Sequence, residues 1–201
     1  MNDVTIRRRR KDAVESRDKI LDTARTLFKD CGVQSVSMHQ IAQCAHVGQG
    51  TLYRHYAHKG DLCLALLKES AEAFLKNLTD WVEASRGQIP PYDILESVIR
   101  QIIDFTDNNT SLLTAVNSSK FISNNPFYQY IHRLVSSLVA ELLPEDSPLD
   151  ATLTSDIILA ATSPALYMFE RDERGYTKDQ VFDAIRLTCL SGLRTPHYGG
   201  E

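Results

Sequence analysis

The chain has 201 residues, a mass of 22.6 kDa and a formal net charge of −4, enough for one large domain or two small ones at roughly 100–200 residues each. Its 43% hydrophobic and 24% charged residues, with 9 Gly and 7 Pro, exclude collagen-like, disulfide-scaffold and wholly disordered chains. Uncharged stretches such as 108–119 and 157–169 fall short of the ~20 apolar residues that span a bilayer.

The basic run Arg7, Arg8, Arg9, Arg10 and Lys11 leads into alternating charges rather than an apolar signal core, so a cytoplasmic protein is expected. Residues 1–60 hold 11 Lys and Arg against 6 Asp and Glu, whereas residues 61–201 hold 11 against 20. A basic first part joined to an acidic remainder suits a polyanion partner for the former, or merely a solvated face with a disordered arm.

Cys31, Cys44, Cys63 and Cys189 lack CxxC or zinc-ligand spacing, so reduced thiols are expected and no metal. His55 and His58 lie three apart, but no thiolate or carboxylate ligands accompany them.

Helical periodicity runs through the chain. A basic flexible arm is expected over 1–15. Ile20, Leu21, Ala24, Leu27 and Phe28 form one apolar face, which predicts a helix over 16–31. Ser37 and Gln40 have capping-box spacing, stapled by Val36 and Ile41, so a helix starts there and runs to 44. Further helices are expected over 48–55, 59–86, 92–106, 110–120, 126–143, 148–170 and 177–194, the last two starting at boxes on Ser147 and Thr177. Tyr176 and Val181 would staple the last one, and Pro164 should kink the eighth. The fold class is all-α, with nine helices and no sheet.

Two helices of about eight residues, joined across Ala45, His46 and Val47, are too short to stand alone and need the 16–31 helix beneath them. Ile41, Ala42 and Val47 would face inward, and the second helix would project Gln49, Thr51, Tyr53, Arg54 and His55. These are donor-rich side chains suited to phosphates and base edges, and no Asp or Glu occurs from Cys31 to Gly60. The arrangement is a helix-turn-helix.

Gly32, Val33, Ser37, Met38, Ile41, Ala42, Ala45, Val47, Gly50, Thr51, Leu52, Tyr53, His55, Tyr56, Lys59 and Leu62 resemble the amino-terminal signature of the tetracycline-repressor (TetR) family over about 50 residues. His46 replaces the family's turn glycine, Gly48 its Ser or Thr cap, and His58 its Ser or Asn. The resemblance implies a two-domain architecture, with the helix-turn-helix domain at 16–58 and a helical ligand-binding and dimerisation domain at 59–201. It implies a dimeric repressor on a palindromic operator of double-stranded DNA, released by a small-molecule effector and needing no cofactor.

By the same resemblance Ser37 and His39 would lie near phosphate or base. Gln49, Gly50 and Thr51 would lead into the major groove, and Tyr53 and His55 would meet the DNA backbone. Lys59 would bind phosphate with its helix dipole. Arg54 would face phosphate or solvent. Gly50 either lets the DNA approach closely or is simply a poor helix former.

The aromatic and polar mixture of helices five to eight suits either a ligand pocket or an ordinary core. The pocket candidates are Phe105, Thr114, Asn117, Phe121, Phe127, Tyr128, Tyr167 and Met168, with Leu112, Ser118 and Tyr130 beside them. Ile157, Ala161, Phe169, Val181, Ile185 and Cys189 are candidates for the dimer interface, with core packing as the other reading.

No GxSxG, HExxH or P-loop motif is present, so no enzyme is expected. The rival readings are an architectural or protein-binding helix-turn-helix protein without an effector, and a thiol sensor through Cys31, Cys44 or Cys63.

Overall fold

The computed structural model describes residues 3–115 and 126–194, with side chains described from residue 14 onward. Every regular element among them is helical. In chain order these are α1 (Asp3–Cys31), α2 (Met38–Cys44), α3 (Gln49–His55), α4 (Lys59–Ser85), α5 (Pro91–Asn108), α6 (Thr110–Ala115), α7 (Pro126–Leu142), α8 (Ala151–Ala161), α9 (Pro164–Asp172) and α10 (Lys178–Ile185). The chain continues from α10 into a π-helical stretch, Arg186–Leu190, and a 3₁₀ turn, Ser191–Leu193. No helix among the described residues is long and apolar enough to cross a membrane.

The fold divides into two compact units, one made of residues 1–70 and 111–118 and the other of 71–110 and 119–201. In the first, the α1 stripe Ile20, Leu21, Ala24 and Phe28 packs with Val33, Val36, Ile41, Ala42, Ala45, Leu52, Tyr56, Leu62, Cys63 and Leu66. Val47 and Leu112 are half-buried against this core. α1 stops because Gly32 takes φ +79°, a left-handed conformation open to glycine at little cost, while its N–H reaches back to the Phe28 carbonyl.

In the second unit α5 lies innermost. Ile94, Leu95, Val98, Ile99, Ile102 and Ile103 are all buried, and they pack with Ile131, Val135, Leu138 and Val139 of α7 and with Ile158, Leu159, Tyr167, Phe182 and Ile185. Arg100 crosses from α5 to Asp179 at 2.9 Å with its guanidinium 3.8 Å from the Phe182 ring centre, and Lys178 reaches Asp104 at 2.6 Å.

Four local expectations need correction. The first helix begins at Asp3, so the backbone of the supposed flexible arm is helical; no Gly or Pro interrupts 3–31, so nothing ends the helical run at residue 16. The box at Ser147 does not form. Asp150 is the cap, accepting from the Leu153 N–H at 2.7 Å, and Ser147 accepts from the Leu149 N–H instead. The expected 148–170 helix is divided at Thr162–Pro164 into α8 and α9, because Pro164 lacks an N–H and settles at a first-turn position. Tyr176, expected to staple α10, is 48% exposed.

Candidate nucleic-acid interface

α2 starts where its sequence says it should. Ser37 Oγ accepts from the Gln40 N–H at 3.2 Å, and Gln40 Oε1 accepts from the Ser37 N–H at 2.9 Å. Ile41 and Ala42 then face the core. At the end of α2 the chain turns through His46, which has φ 53°. This is the left-handed geometry that favours glycine, and His accepts it at a cost. Gly48 heads α3 without a side-chain cap, and only Leu52 of α3 is buried.

The remaining α3 residues therefore point away from the core. Gln49, Gly50 and Arg54 are exposed, Tyr53 is 50% exposed, and Thr51 and His55 are partly exposed. A methyl group added at Gly50 would meet no atom of the protein within 4 Å, so the fold itself does not demand glycine there. The Gln49 amide nitrogen and His39 Nδ1 are hydrogen-bonded to each other. Gln49 Nε2 is the donor in this pair, since an amide nitrogen cannot accept. His39 and Gln49 thus tie the outer faces of α2 and α3 together, a link that spacing alone did not suggest.

Lys59 departs most from expectation. Its ammonium donates to the carbonyl oxygens of Val33 at 2.8 Å, Val36 at 3.0 Å and Gln34 at 3.4 Å. The head of α4 is likewise occupied, since Asp61 Oδ2 accepts from the His58 N–H at 2.9 Å. A phosphate contact for Lys59 is what the family resemblance implies. In this DNA-free structure its ammonium faces those backbone carbonyls.

α1 and α4 are further joined through Glu69, which accepts from Arg25 at 2.8 Å and from Arg17 at 3.4 Å. Beside Arg17 the Tyr56 hydroxyl is buried without a hydrogen-bond partner. Burial raises its pKa, and the neighbouring Arg17 opposes the rise.

The other candidate residues separate into groups. Asn117, Ser118 and Phe121 lie outside the described residues. Phe105 and Phe127 pack with Phe74 in a triad with ring centres 4.7, 5.3 and 6.1 Å apart. Tyr130 is bonded to Thr79, and the Tyr128 hydroxyl makes a long contact of 3.4 Å with Asp156. Met168 is half-buried against the core, and Thr114 is exposed in the first unit. Tyr167 is 1% exposed, a core residue rather than an open pocket wall. Two clefts of about 400 and 380 Å³ open elsewhere on the second unit, lined around Arg86, Pro90 and Glu141 and around Leu143, Leu149 and Leu193. Neither is lined by an expected pocket residue.

Of the interface candidates, Ile157 is 57% and Phe169 38% exposed. Ala161, Val181 and Cys189 are half-buried against the core. Ile185 is 6% exposed and is corrected to a core residue, because it shares the inward face of α10 with Phe182. Leu153 at 60% and Leu187 at 59% are more exposed than any of the candidates. Leu153 was legible as one turn before Ile157, whereas Leu187 stands among polar neighbours.

A capped helix, a tight turn and a second short helix that buries only Leu52 define a helix-turn-helix DNA-binding protein. The family of bacterial regulatory proteins known as tetR matches residues 20–66, the whole of this reading head. A helix-turn-helix-type transcriptional regulator of Staphylococcus aureus is 27% identical over 168 residues, covering 82% of this chain and 87% of its own. Residues 20–66 thus carry the amino-terminal domain of the tetR family, and most of the chain is similar to helix-turn-helix-type transcriptional regulators.

Among solved structures, a TetR-family repressor, FadR of Thermus thermophilus, in complex with lauroyl-CoA has a TM-score of 0.60 at 18% identity, covering 92% of this chain and 98% of its own. AibR in complex with isovaleryl coenzyme A and operator DNA has a TM-score of 0.54 at 18% identity, covering 87% and 98%. At this identity the likeness carries the fold.

Proposed function

We propose that this regulator is a dimeric repressor that occupies a near-palindromic operator and is released by an apolar effector. The observation that carries the dimer is the apolar surface left on the last helices. Leu153, Ile157, Leu166 and Leu187 are each more than 40% exposed, while the core beneath them is complete without them. Apolar side chains grouped in this way favour burial against a second copy. A two-fold axis would then set two reading helices roughly 34–36 Å apart, so half-sites one helical turn apart would be recognised together.

Gln49, Gly50 and Thr51 would lead α3 into the major groove, with Tyr53, Arg54 and His55 toward the backbone. Ser37 and His39 act chiefly by shaping the reader, since both are already engaged within it.

For the effector, an acyl thioester of coenzyme A is the first class to test. Two proteins of like fold are seen with such molecules, and the Phe74, Phe105 and Phe127 rings offer an apolar lining if they part. Release requires that the effector bind the DNA-free conformation more tightly than the DNA-bound one.

The test is to select genomic fragments with the purified protein, footprint the winners at a fixed salt concentration, and add lauroyl-CoA or isovaleryl-CoA. Symmetric protection lost on adding either thioester supports the whole reading. Symmetric protection insensitive to both removes this effector class, and unstructured binding to many unrelated fragments favours an architectural role.

A further inference from the structure

We infer that Asp156 and His132 make the strength of the homodimer depend on pH, the dimer tightening as the imidazole takes up a proton. This rests on the dimer reading and is independent of the effector.

Leu153, Asp156, Ile157 and Ala160 have the three- and four-residue spacing that places side chains on one face of a helix, and all four are exposed on α8. Asp156 is the one charged side chain of α8, and it stands in the middle of this otherwise apolar stripe. From α7, His132 Nε2 lies 3.0 Å from Asp156 Oδ1, and the Tyr128 hydroxyl is 3.4 Å from the same oxygen. The Tyr128 and His132 ring centres are 6.0 Å apart. The Asp156 side chain is 52% exposed and that of His132 20%, so a single chain leaves the carboxylate in water while the imidazole is largely covered.

The charged groups of the neighbouring elements are engaged elsewhere. α5 meets α7 through apolar residues, and its Arg100, Asp104 and Asp107 pair with Asp179, Lys178 and Arg171. α4 meets α7 at Tyr130 and Glu141, through Thr79 and Arg86. Arg133, next to His132 on α7, is exposed. Beside α8, Arg186 of the π-helical stretch pairs with Asp183.

A second copy on a two-fold axis brings the same surfaces, and their Arg171, Arg174, Lys178 and Arg186 each already face an acid. Closing the stripe against that copy takes water from Asp156, and a carboxylate buried without a cation is costly. His132 is the group placed to supply the charge. The dimer then binds more protons than two single chains, so association strengthens as pH falls through the range in which histidine side chains titrate.

The experiment measures the dimer dissociation constant of the full-length protein by sedimentation equilibrium, at fixed ionic strength and without DNA. It is made at about pH 6 and about pH 8, which bracket histidine titration, for the parent, Asp156→Asn and His132→Gln. The parent is expected to associate at least about tenfold more tightly at the lower pH. Asp156→Asn has no charge to bury, so it should show nearly one constant at both pH values and be tighter than the parent at the higher one. His132→Gln should stay close to the parent's weaker, high-pH constant throughout.

A parent dimer of equal strength at both pH values overturns the pH dependence and leaves the dimer standing, whereas a parent monomeric at both removes the two together. A pH dependence that persists in both variants assigns the proton to another group and overturns the role of this pair. Should His132→Gln fail to fold, Asp156→Asn, at an exposed position, decides alone.

Discussion

The phenolic hydroxyl of Tyr167 on α9 donates to Asp107 Oδ1 on α5 across 2.8 Å, and Arg171 Nη1, one turn further along α9, reaches the same oxygen at 2.9 Å. Arg171 also donates to Thr110 Oγ1 and, through Nε, to Asp172. Burial raises the Asp107 pKa, but the donated hydrogen bonds and the Arg171 charge outweigh it and hold the carboxyl below its ordinary value. Burial and the bond to Asp107 push Tyr167 up to about 12.

From this network Tyr167→Phe is expected to cost about 1.5 kcal/mol at neutral pH, a typical contribution for a hydrogen bond to a charged group. A carboxyl with a depressed pKa stabilises the fold above its unfolded value and loses that contribution as pH falls through the folded one. The gap between parent and variant should therefore be steady above about pH 5 and shrink below about pH 4. On the alkaline side the parent loses the Tyr167 contribution as pH rises from about 10 through about 12, and the variant has none to lose. Urea unfolding across pH would check both limbs, and an acid limb with a constant gap would rule the network out as its source.

His46 stores strain. Its φ of 53° suits glycine, so His46→Gly should stabilise the reading head by about 1 kcal/mol, read as a rise in Tm, with little change in operator affinity. A lower Tm would mean that the His46 side chain makes a contribution exceeding its backbone cost.

Gly50 separates stability from function. Open space surrounds the position, so Gly50→Ala should raise stability by about 0.5–1 kcal/mol through helix propensity alone. If DNA approaches the α3 backbone there, the same change should weaken operator binding. Unchanged affinity in gel-shift titrations would assign Gly50 no role beyond being a weak helix former.

The interface reading makes a prediction about mass. Leu153→Glu and Ile157→Glu place charges on side chains 60% and 57% exposed within the chain, so neither should disturb the fold of one copy. Both should halve the mass seen by light scattering from twice 22.6 kDa to once that value. A parent already monomeric at micromolar concentration would refute the dimer.

Much of the first unit was legible because its signals are local. The box of Ser37 and Gln40, the α1 stripe from Ile20 to Phe28 and the break after Cys31 each involve residues within a turn or two, the range over which capping and periodicity act. The outward face of α3 followed from the same periodicity.

What sequence could not reveal were relationships across distance or departures from the 3.6-residue period. Lys59 reads as a surface cation until folding brings the carbonyls of Val33, Gln34 and Val36 to it. Asp107 and Tyr167 are sixty residues apart, and which aromatic donates to which acid is decided only when α9 lies on α5. At the end of the chain the buried residues are Phe182, Ile185, Leu190 and Leu193. The step of five from Ile185 to Leu190 reflects the π-helical stretch at Arg186–Leu190, which rotates Leu190 inward where a regular helix would have placed Cys189. Sequence by itself determined most of the helical segments and which short pair forms the helix-turn-helix, because those follow from local hydrogen bonding and periodic burial. Tertiary structure alone decided which cation faces backbone carbonyls, which aromatics are core and which leucines face out, because those depend on what packing places within a few ångströms.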